Sequence, residues 1–474
     1  MNVLFAATEC VPFVKTGGLA DVIGALPAAL NRIGVNTAVI LPKYQDISAK
    51  HKAKMELIAK VNVPVGWRNQ YCGIETLKHE GIRFYFLDNE YYFKRNGSYG
   101  YDDDGERFAF FSRAVLESLP HLHEKPDVLH CNDWQTGPVS VLLQAHFQNR
   151  PFYASLKTVF TIHNLRYQGI YPKAVLSDLL DLSELYFHPD GLEFYGNVSY
   201  LKAGLAYSDV LTTVSPTYAE EIKTGYFGEQ LDGFLRKRSN DLHGILNGID
   251  TELYNPETDS HLPARFNDFS GKRLNKENLQ AWCEWPADSS VPLIGMVTRL
   301  TDQKGIDLVL RVFQEMLSLR VQFVLLGTGE SAYEDAFRSL ERENRDQVRA
   351  FLYFDESLAR KIYGASDLFL MPSLFEPCGI GQLLALRYGS LPIVRETGGL
   401  RDTVIPYNDV TDEGYGFSFS HYNAHDMLYT VERAVGYYRY QPKTWHKLVD
   451  RAMNQDFSWI RSSEHYKQLY ESIV

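Results

Sequence analysis

The stretch NVLFAATECVPFVKTGGLADVIGALPAALNRIGVNTAVIL, residues 2–41, decides the fold class. An apolar run at residues 2–7 predicts a buried strand, and a second run at residues 37–41 predicts another. Between the two runs, apolar residues recur at helical spacing: Leu19, Val22, Ile23, Leu26, Leu30 and Ile33. This order is a β-α-β unit, which favours a mostly parallel sheet.

The same alternation continues along the chain. Further strands are predicted at residues 82–87, 128–130, 158–162 and 210–214. After a polar stretch at 254–292, strands are predicted at residues 293–298, 323–326, 351–354, 368–371 and 392–394. The sequence therefore predicts an α/β protein with two Rossmann-like doubly wound domains, a pairing that usually places the ligand in the cleft outside the carboxyl ends of the strands.

Length and charge limit the function classes. The chain has 474 residues, which exceeds the roughly 250–300 residues at which a single core stops growing. Its 48 Lys and Arg against 59 Asp and Glu give a net charge of −11 without long basic runs, which argues against a nucleic-acid partner. The 30 Tyr and 27 Phe are compatible with stacking on sugars but do not establish it.

The cysteines and the N-terminal residues indicate the cellular compartment in which we expect the protein. Five cysteines are present, with no CxxC pair and no zinc-type spacing. The first apolar run has no basic residue before it and is interrupted by Glu9, so it reads as a strand and not as a signal peptide. Since no apolar run reaches the roughly 18 residues that span a bilayer, we expect a soluble cytoplasmic protein without a membrane partner.

Two glycine turns share a sequence. Residues 16–21, TGGLAD, match residues 397–402, TGGLRD, at five of six positions, and both follow a predicted strand. Paired glycines at a strand-to-helix turn let an anion approach the backbone amides, and Lys15 precedes the first pair. The alternative is the tight turn that any doubly wound fold needs. Neither copy is a GxGxxG or a P-loop, so dinucleotide-dependent oxidoreductases and P-loop NTPases lack their main support.

Charged residues follow two strands of the second half. Arg299 and Lys304 flank a strand end and a helix start, where the planar guanidinium of arginine and the ammonium of lysine can neutralise a diphosphate. The alternative is that both are ordinary surface cations. Glu376 precedes a helix predicted to begin near Ile380, where its charged form is favoured and can bind a ligand hydroxyl. Its alternative role is a stabilising helix-start carboxylate, and Cys378 reads as a packed residue.

In the first half, Asp133 and His163 follow strands on the ligand side of the predicted sheet. A lone histidine at a strand end is more often a satisfied polar residue. Residues 102–104 have the D-x-D spacing that can hold a divalent cation, but the surrounding glycines indicate a loop that enters a helix at Arg107. We therefore interpret this motif as a solvated helix cap and predict no metal.

Eight motifs, in order, resemble the bacterial glycogen synthase and plant starch synthase family: KTGGLADV, HCNDWQTG, FTIHNLRYQG, VSPTYAEEI, LNGID, VTRLTDQKG, LFEPCG and ETGGLRDTV. The resemblance implies a GT-B fold with two Rossmann-like domains that face a deep cleft. Residues 1–250 would form the acceptor-side domain and residues 251–455 the nucleotide-sugar domain, with the helix in 456–474 crossing back to the first. The implied reaction is transfer of glucose from ADP-glucose to the non-reducing end of an α-1,4-glucan, with retention and release of ADP.

The resemblance also implies site residues. The catalytic set would be Lys15, His163, Arg299, Lys304 and Glu376. Substrate binding would use Lys15, Gly17, Gly18, Asp21, Asp133, His163, Asn247, Arg299, Lys304, Glu376, Cys378, Gly379, Thr397, Gly398 and Gly399. ADP-glucose would be a co-substrate and no cofactor or metal is expected, while the oligomeric state is left open. Related retaining enzymes carry a second Glu eight residues after the first, but Leu384 occupies that position, which favours same-face attack over double displacement.

Alternatives remain at this point. One is another retaining GT-B glucosyltransferase that uses UDP-glucose or a small acceptor. Another is a non-catalytic glucan-binding GT-B protein, although the intact set of Lys15, Arg299, Lys304 and Glu376 argues against it. A pyridoxal-phosphate-dependent phosphorylase shares the fold, but the chain is far shorter than that family and has no matching cofactor-lysine segment.

Overall fold

Parallel strands joined by helices recur along the whole chain of the computed structural model, which describes residues 1–474. The chain forms two units. Unit 1 contains Met1–Val214, Ala219–Gly248 and Trp459–Val474, and unit 2 contains Ser215–Tyr218 and Ile249–Ser458. Each unit has its own sheet and is described separately.

Unit 1 is built on a nine-stranded sheet with the order β12-β11-β7-β6-β1-β2-β5-β4-β3, and β8, β10 and β9 form a small second sheet. The strands are β1 (Asn2–Ala6), β2 (Asn36–Pro42), β3 (Glu56–Val65), β4 (Arg68–His79), β5 (Ile82–Asp88), β6 (Val128–Asn132), β7 (Lys157–Ile162), β8 (Ile170–Pro172), β9 (Glu193–Phe194), β10 (Asn197–Ser199), β11 (Val210–Thr213) and β12 (Leu242–Gly244). Only β3, β4 and β5 pair antiparallel in the large sheet.

The helices before residue 249 belong to unit 1, except that the helix Pro216–Glu221 begins in the Ser215–Tyr218 segment of unit 2. They are α1 (Gly18–Arg32), α2 (Ala49–Lys52), α3 (Glu90–Phe93), α4 (Asp104–Ser118), α5 (Pro138–Leu142), α6 (Val175–Asp178), α7 (Tyr200–Tyr207), α8 (Pro216–Glu221) and α9 (Asp232–Lys237). Five of the six predicted apolar positions are buried in α1, namely Leu19, Val22, Ile23, Leu26 and Leu30, whereas Ile33 is the C-cap residue and is partly exposed. The helix therefore packs through the face that its 3.6-residue period predicts.

Unit 2 has a six-stranded parallel sheet with the order β15-β14-β13-β16-β17-β18. Its strands are β13 (Leu293–Val297), β14 (Gln322–Leu326), β15 (Val348–Phe351), β16 (Leu368–Met371), β17 (Leu391–Arg395) and β18 (Phe417–Phe419). Its helices are α10 (Phe269–Trp282), α11 (Ile306–Arg311), α12 (Phe313–Ser318), α13 (Ser331–Glu343), α14 (Glu356–Ala365), α15 (Gly381–Arg387), α16 (Gly398–Thr403), α17 (Ala424–Tyr440) and α18 (Pro442–Met453). Strands β14 and β16 are almost fully buried, as expected for a parallel sheet covered on both faces.

The last helix, α19 (Trp459–Ile473), belongs to unit 1. It packs against α1, and the Tyr470 hydroxyl lies 2.7 Å from Nδ1 of His130 in β6. The C-terminus of the chain is thus anchored in the sheet where the chain begins.

Most predicted strands are confirmed within one or two residues, but the one predicted at residues 351–354 is wrong in position. The strand is Val348–Phe351, because Asp355 accepts a hydrogen bond from the Leu358 amide and caps α14, so the chain must leave the sheet before that cap. The apolar pattern does not predict the β3–β4 hairpin, since both strands carry many exposed polar residues. No helix combines the length and the apolar character needed to cross a membrane.

Candidate active site

Each large sheet reverses its strand order at one point. In unit 1 the reversal lies between β1 and β6, and in unit 2 it lies between β13 and β16. Ligands of doubly wound sheets bind outside the carboxyl ends of the strands at such switch points. The residues that follow these strands, with those after neighbouring β7 in unit 1, are therefore the candidate ligand-binding residues of each unit.

The first glycine turn lies after β1, where α1 begins at Gly18. The backbone amides of Thr16 and Gly17 donate to Oε2 of Glu9 at 2.5 and 2.8 Å, and the Tyr99 hydroxyl donates to Oε1 at 2.8 Å. A Cβ added to Gly17 or Gly18 would meet no atom within 4 Å. These two amides therefore hold a carboxylate of the chain itself, Glu9.

Lys15 also has a partner within unit 1. Its Nζ lies 2.7 Å from the carboxylate of Asp21, and both side chains are partly exposed to solvent. Exposed pairs of this kind stabilise a fold by roughly 0–1 kcal/mol, so the pair separates at little cost. Lys15 and Asp21 are thus close together, at the N-terminal end of α1.

Asp133 follows β6 in a strained conformation. Its φ of 57° and ψ of 177° lie in a region that residues other than glycine rarely adopt. Its Oδ1 accepts the backbone amide of His163 at 2.8 Å. Burial raises the pKa of Asp133 to about 7, although the amides of His163 and Asn164 act in the opposite direction. Such strain and such a shift occur mainly at functional sites.

His163 follows β7 and faces Asn132, the last residue of β6. The registers of β6 and β7 place Asn132 opposite Thr161, so the two strands end side by side. Nε2 of His163 lies 3.0 Å from Oδ1 of Asn132, and burial lowers the pKa of His163 to about 3. The ring is therefore neutral and is suited to hydrogen bonding with uncharged groups.

Asn247 lies in the loop after β12 and is 6% exposed. Its Oδ1 has no hydrogen-bond partner in the chain. Buried polar atoms are nearly always paired, so an orphaned acceptor of this kind is explained by an external donor.

The unit 2 switch point holds an ion pair. Lys304 ends a 3₁₀ turn, Asp302–Lys304, that follows β13, and Glu376 lies in the loop after β16. Lys304 Nζ donates to Oε2 of Glu376 at 2.6 Å, and the Ser373 hydroxyl donates to the same oxygen at 3.0 Å. The side chains of Lys304 and Glu376 are only 15% and 8% exposed.

Two features complete this arrangement. Gly305 has a φ of 69°, and a Cβ at this position would lie 2.1 Å from the Pro372 carbonyl oxygen, so the turn after β13 packs directly on the loop after β16. Arg299, between β13 and this turn, is exposed and makes no ion pair. The segments that follow β13 and β16 therefore carry Arg299, which makes no ion pair, and the Lys304–Glu376 pair.

The second glycine turn begins α16 and is used differently from the first. The Gly399 amide donates to the backbone oxygens of Glu376 and Pro377, each at 3.2 Å. A Cβ on Gly398 would lie 2.0 Å from the Glu376 oxygen, and one on Gly399 would lie 2.1 Å from the Cys378 oxygen. The expectation that the Gly399 amide is available to a phosphate is therefore wrong, because this amide holds the Glu376 loop.

Cys378 and Gly379 continue that loop. Gln382 Nε2 donates to their backbone oxygens at 3.0 and 3.1 Å. Cys378 is 4% exposed, and Gly379 has a φ of 73°, in the left-handed region. The loop that carries Glu376 is thus fixed by a side-chain amide and by close backbone packing.

Comparison with known proteins agrees with this geometry. The family model "Starch synthase catalytic domain" matches residues 2–237, and "Glycosyl transferases group 1" matches residues 284–435. The glycogen synthase of Geobacillus thermodenitrificans (strain NG80-2) is 56% identical over 100% of this chain and 98% of its own length. That of Desulforamulus reducens is 55% identical over 100% and 99%. The chain belongs to the glycogen synthase and starch synthase family.

Solved structures support the family fold. The catalytic domain of starch synthase IV from Arabidopsis thaliana, bound to ADP and acarbose, matches with a TM-score of 0.92 and 37% identity over 99% of both chains. Sucrose-phosphate synthase from Thermosynechococcus elongatus matches with a TM-score of 0.61 at 18% identity over 100% of this chain and 98% of its own, which bears on the fold alone. The predicted GT-B fold class is confirmed, as are the glycosyltransferase class and the assignment as a glycogen synthase.

The D-x-D motif of this family member is structural. Helix α4 begins at Asp104, near the predicted start, but the predicted solvated cap is wrong. Asp103 binds Arg95 at 2.5 and 2.7 Å, while Asp104 is buried and binds Arg107 at 2.5 Å. These carboxylates are neutralised by guanidinium groups within unit 1.

Sequence reasoning missed Glu9, Tyr99 and Asn132 as parts of the site. In the sequence Glu9 stands out only as a break in an apolar run, and a carboxylate just before a TGG turn is a weak signal for an internal anion. Tyr99 reaches Glu9 from 90 residues away, a contact that no local pattern reveals. Asn132 lies directly before Asp133 and was detectable as a further polar strand-end residue.

Proposed function

We propose that this family member binds the ADP-glucose donor through Arg299, Lys304 and Glu376, and that unit 1 residues bind the sugar. In this proposal residues 1–250 form the acceptor-side domain, residues 251–455 the donor domain and residues 456–474 the helix that returns to the first. The Lys304–Glu376 pair at the unit 2 switch point is the observation that carries the proposal.

Arg299 and Lys304 have the chemistry that a diphosphate leaving group needs. Cleavage of the glucose–phosphate bond develops negative charge on ADP, and fixed cations near that charge lower the barrier most when they need no reorganisation. Lys304 is already held in place by Glu376, and the Arg299 guanidinium makes no ion pair. We therefore assign both residues to the phosphates of the donor.

Glu376 orients the glucose in this proposal. Its Oε2 is held by Lys304 and Ser373, and its backbone by Gly399, so the carboxylate is rigid before substrate arrives. Cys378, Gly379, Thr397, Gly398 and Gly399 belong to the proposed donor site as the loop and turn that fix Glu376.

Retention of configuration is assigned to attack on the same face that ADP leaves. A double displacement requires a second carboxylate as nucleophile or acid. The position eight residues after Glu376 is Leu384, which is 7% exposed and packs in the core of unit 2. A donor phosphate oxygen then accepts the proton of the acceptor hydroxyl. Isolation of a glycosyl adduct on Glu376 would contradict this step.

Unit 1 supplies uncharged or weakly acidic contacts. His163 is neutral, Asp133 has its pKa raised to about 7, and Asn247 has an unpaired acceptor oxygen, which suits sugar hydroxyls. Lys15, Gly17, Gly18 and Asp21 contribute only if the Lys15–Asp21 pair opens and the donor replaces the Glu9 carboxylate at the turn. The proposed reaction uses no cofactor or metal. We also propose that the protein is cytoplasmic.

The test compares ADP-glucose and UDP-glucose as donors, each with glycogen or maltose as acceptor, and measures nucleoside diphosphate release. We expect turnover with ADP-glucose and a glucan. Preference for UDP-glucose or for a small acceptor identifies another retaining glucosyltransferase, and glycogen affinity without release identifies a binding protein. Arg299→Ala should raise the donor KM at least about tenfold. The matched control is Arg311→Ala, which removes another exposed arginine that makes no ion pair and should leave KM unchanged.

A further inference from the structure

Asn132 is buried at the end of β6 and has one possible orientation. Its Nδ2 donates to the backbone oxygens of Ala6 and His130, at 3.2 and 3.1 Å, and it is 1% exposed. Carbonyl oxygens only accept hydrogen bonds, so the amide nitrogen must face them. The amide oxygen, Oδ1, therefore faces His163.

This orientation decides where the proton of His163 lies. Oδ1 of Asn132 is an acceptor, so Nε2 of His163, 3.0 Å away, must carry the hydrogen. A neutral imidazole carries one hydrogen, and burial keeps this ring neutral by lowering its pKa to about 3. The carboxylate of Asp133 does not compete for the ring, because it accepts the backbone amide of His163. Nδ1 is consequently a lone-pair acceptor.

His130, in the same strand as Asn132, provides a contrast with His163. Its Nδ1 is bonded to the Tyr470 hydroxyl at 2.7 Å and its Nε2 to the Thr161 hydroxyl at 2.5 Å. Both ring nitrogens are used inside unit 1, and the residue is 1% exposed. His163 is partly exposed and has only Nε2 bonded, so it is the histidine with a nitrogen left for a ligand.

We propose that Asn132 is a positioning residue that holds the His163 proton on Nε2, so that Nδ1 accepts a hydrogen bond from a hydroxyl of the transferred glucose. The inference rests on the proposed contact between His163 and the donor sugar. It makes the donor's hydroxyl an obligatory hydrogen-bond donor, which a fluorine at the same carbon cannot replace.

The first test reads the tautomer by ¹⁵N NMR of the protein labelled at histidine, with His163→Gln used to assign the signal. The wild type should show a protonated Nε2 and an unprotonated Nδ1. Asn132→Leu should shift the signals toward a mixture of tautomers and lower kcat/KM for ADP-glucose about tenfold, the effect of one misdirected hydrogen bond.

The second test is a double-mutant cycle. Because Asn132 acts through His163, Asn132→Leu should change kcat/KM less than about twofold in a His163→Ala background. The matched control is Asn275→Leu, which removes a buried amide bonded to both backbone groups of Ala264 in unit 2. It should lower stability but leave the His163 signals and kcat/KM unchanged.

An unchanged tautomer in Asn132→Leu, or losses that multiply in the double mutant, would overturn the role of Asn132 and leave the proposed function standing. If His163→Ala alone leaves kcat/KM unchanged, the contact between His163 and the sugar fails, and the role of Asn132 fails with it.

Discussion

The two glycine turns share five of six residues but make different contacts. At Gly17 and Gly18 the space for a Cβ is open, and the amides of Thr16 and Gly17 bind a carboxylate. At Gly398 and Gly399 that space is filled by backbone oxygens 2.0 and 2.1 Å away, and the Gly399 amide binds the Glu376 loop. The same residues thus form an anion-binding turn in unit 1 and a packing turn in unit 2.

A glycine pair therefore allows a tight backbone turn, but the groups that pack against the turn determine whether its amides bind an anion or another loop. Glu9 supplies the anion at the first turn, whereas the carbonyl groups of the Glu376 loop close the second. In our account the second turn is therefore more important for catalysis, although it presents fewer amides to a ligand.

The largest effect is expected at the Lys304–Glu376 pair, whose loop is held by the second glycine turn. Lys304→Ala removes the cation bound to Glu376 and should lower kcat by about 10²–10³-fold, the usual loss for a preorganised group that stabilises developing charge. Lys15→Ala, beside the first turn, should lower kcat only about tenfold, because Lys15 is exposed and paired with Asp21. Steady-state kinetics with ADP-glucose and glycogen measure both, and equal losses would remove the distinction between the turns.

Next in size is the packing of the second turn. Gly398→Ala forces a methyl group against the Glu376 oxygen at a residue whose φ is 44°, and it should lower the free energy of unfolding by about 1–3 kcal/mol. Urea denaturation followed by circular dichroism measures this change.

Gly436→Ala is the matched control for that change. Gly436 lies in α17, and a methyl group added there would meet no atom within 4 Å, so alanine should be neutral or stabilise by up to about 1 kcal/mol. A Gly398→Ala protein as stable as Gly436→Ala would show that the second turn is not a packing turn.

The third prediction concerns Asp133, which follows β6, and the pH dependence of stability. Because the pKa of Asp133 is raised to about 7, the folded protein holds a proton that the unfolded chain releases near pH 4. This proton stabilises the fold at low pH, and the contribution is lost as pH rises through 7. The free energy of unfolding of the wild type, relative to Asp133→Asn, should therefore fall as pH rises from about 4 to about 7.

The pH profile of kcat/KM gives the matching kinetic readout. An inflection near pH 7 should be present in the wild type and absent in Asp133→Asn. It should persist in His163→Gln, since the pKa of His163 is lowered to about 3 and that ring does not titrate in this range. Loss of the inflection in His163→Gln instead would reassign the ionisation.

The smallest effect is expected at Gly17. Its φ of −144° is extended backbone and its Cβ position is open, so Gly17→Ala should change the free energy of unfolding by less than about 0.5 kcal/mol. Thermal unfolding measures this. A destabilisation as large as that of Gly398→Ala would make both turns packing turns.

The sequence was sufficient for the placement of residues at strand ends. Apolar runs locate β6, β7, β13 and β16, and the residues that follow them, Asp133, His163, Arg299 and Lys304, lie where parallel strands end. Glu376 was predictable for the same reason. Local periodicity is enough here, because each strand and the polar residues that follow it are close together in the chain.

Partners distant in the chain were not predictable. The contacts of Glu9 with Tyr99 and of Gly399 with Glu376 depend on how loops pack and on which donor reaches which acceptor. The D-x-D motif shows the limit most clearly, since the surrounding glycines predict a solvated cap, whereas Asp104 is buried and binds the guanidinium group of Arg107. The spacing of residues in the sequence indicates which ligands a motif could bind, but the tertiary contacts determine which groups it does bind.

The most direct test of the central claim is ADP release from ADP-glucose, measured with and without glycogen, in the wild type and in Glu376→Ala. The account predicts glycogen-dependent release by the wild type and a rate at least about 10²-fold lower in the variant, because the rigid carboxylate beside Lys304 orients the glucose. Equal rates in the two proteins would contradict it.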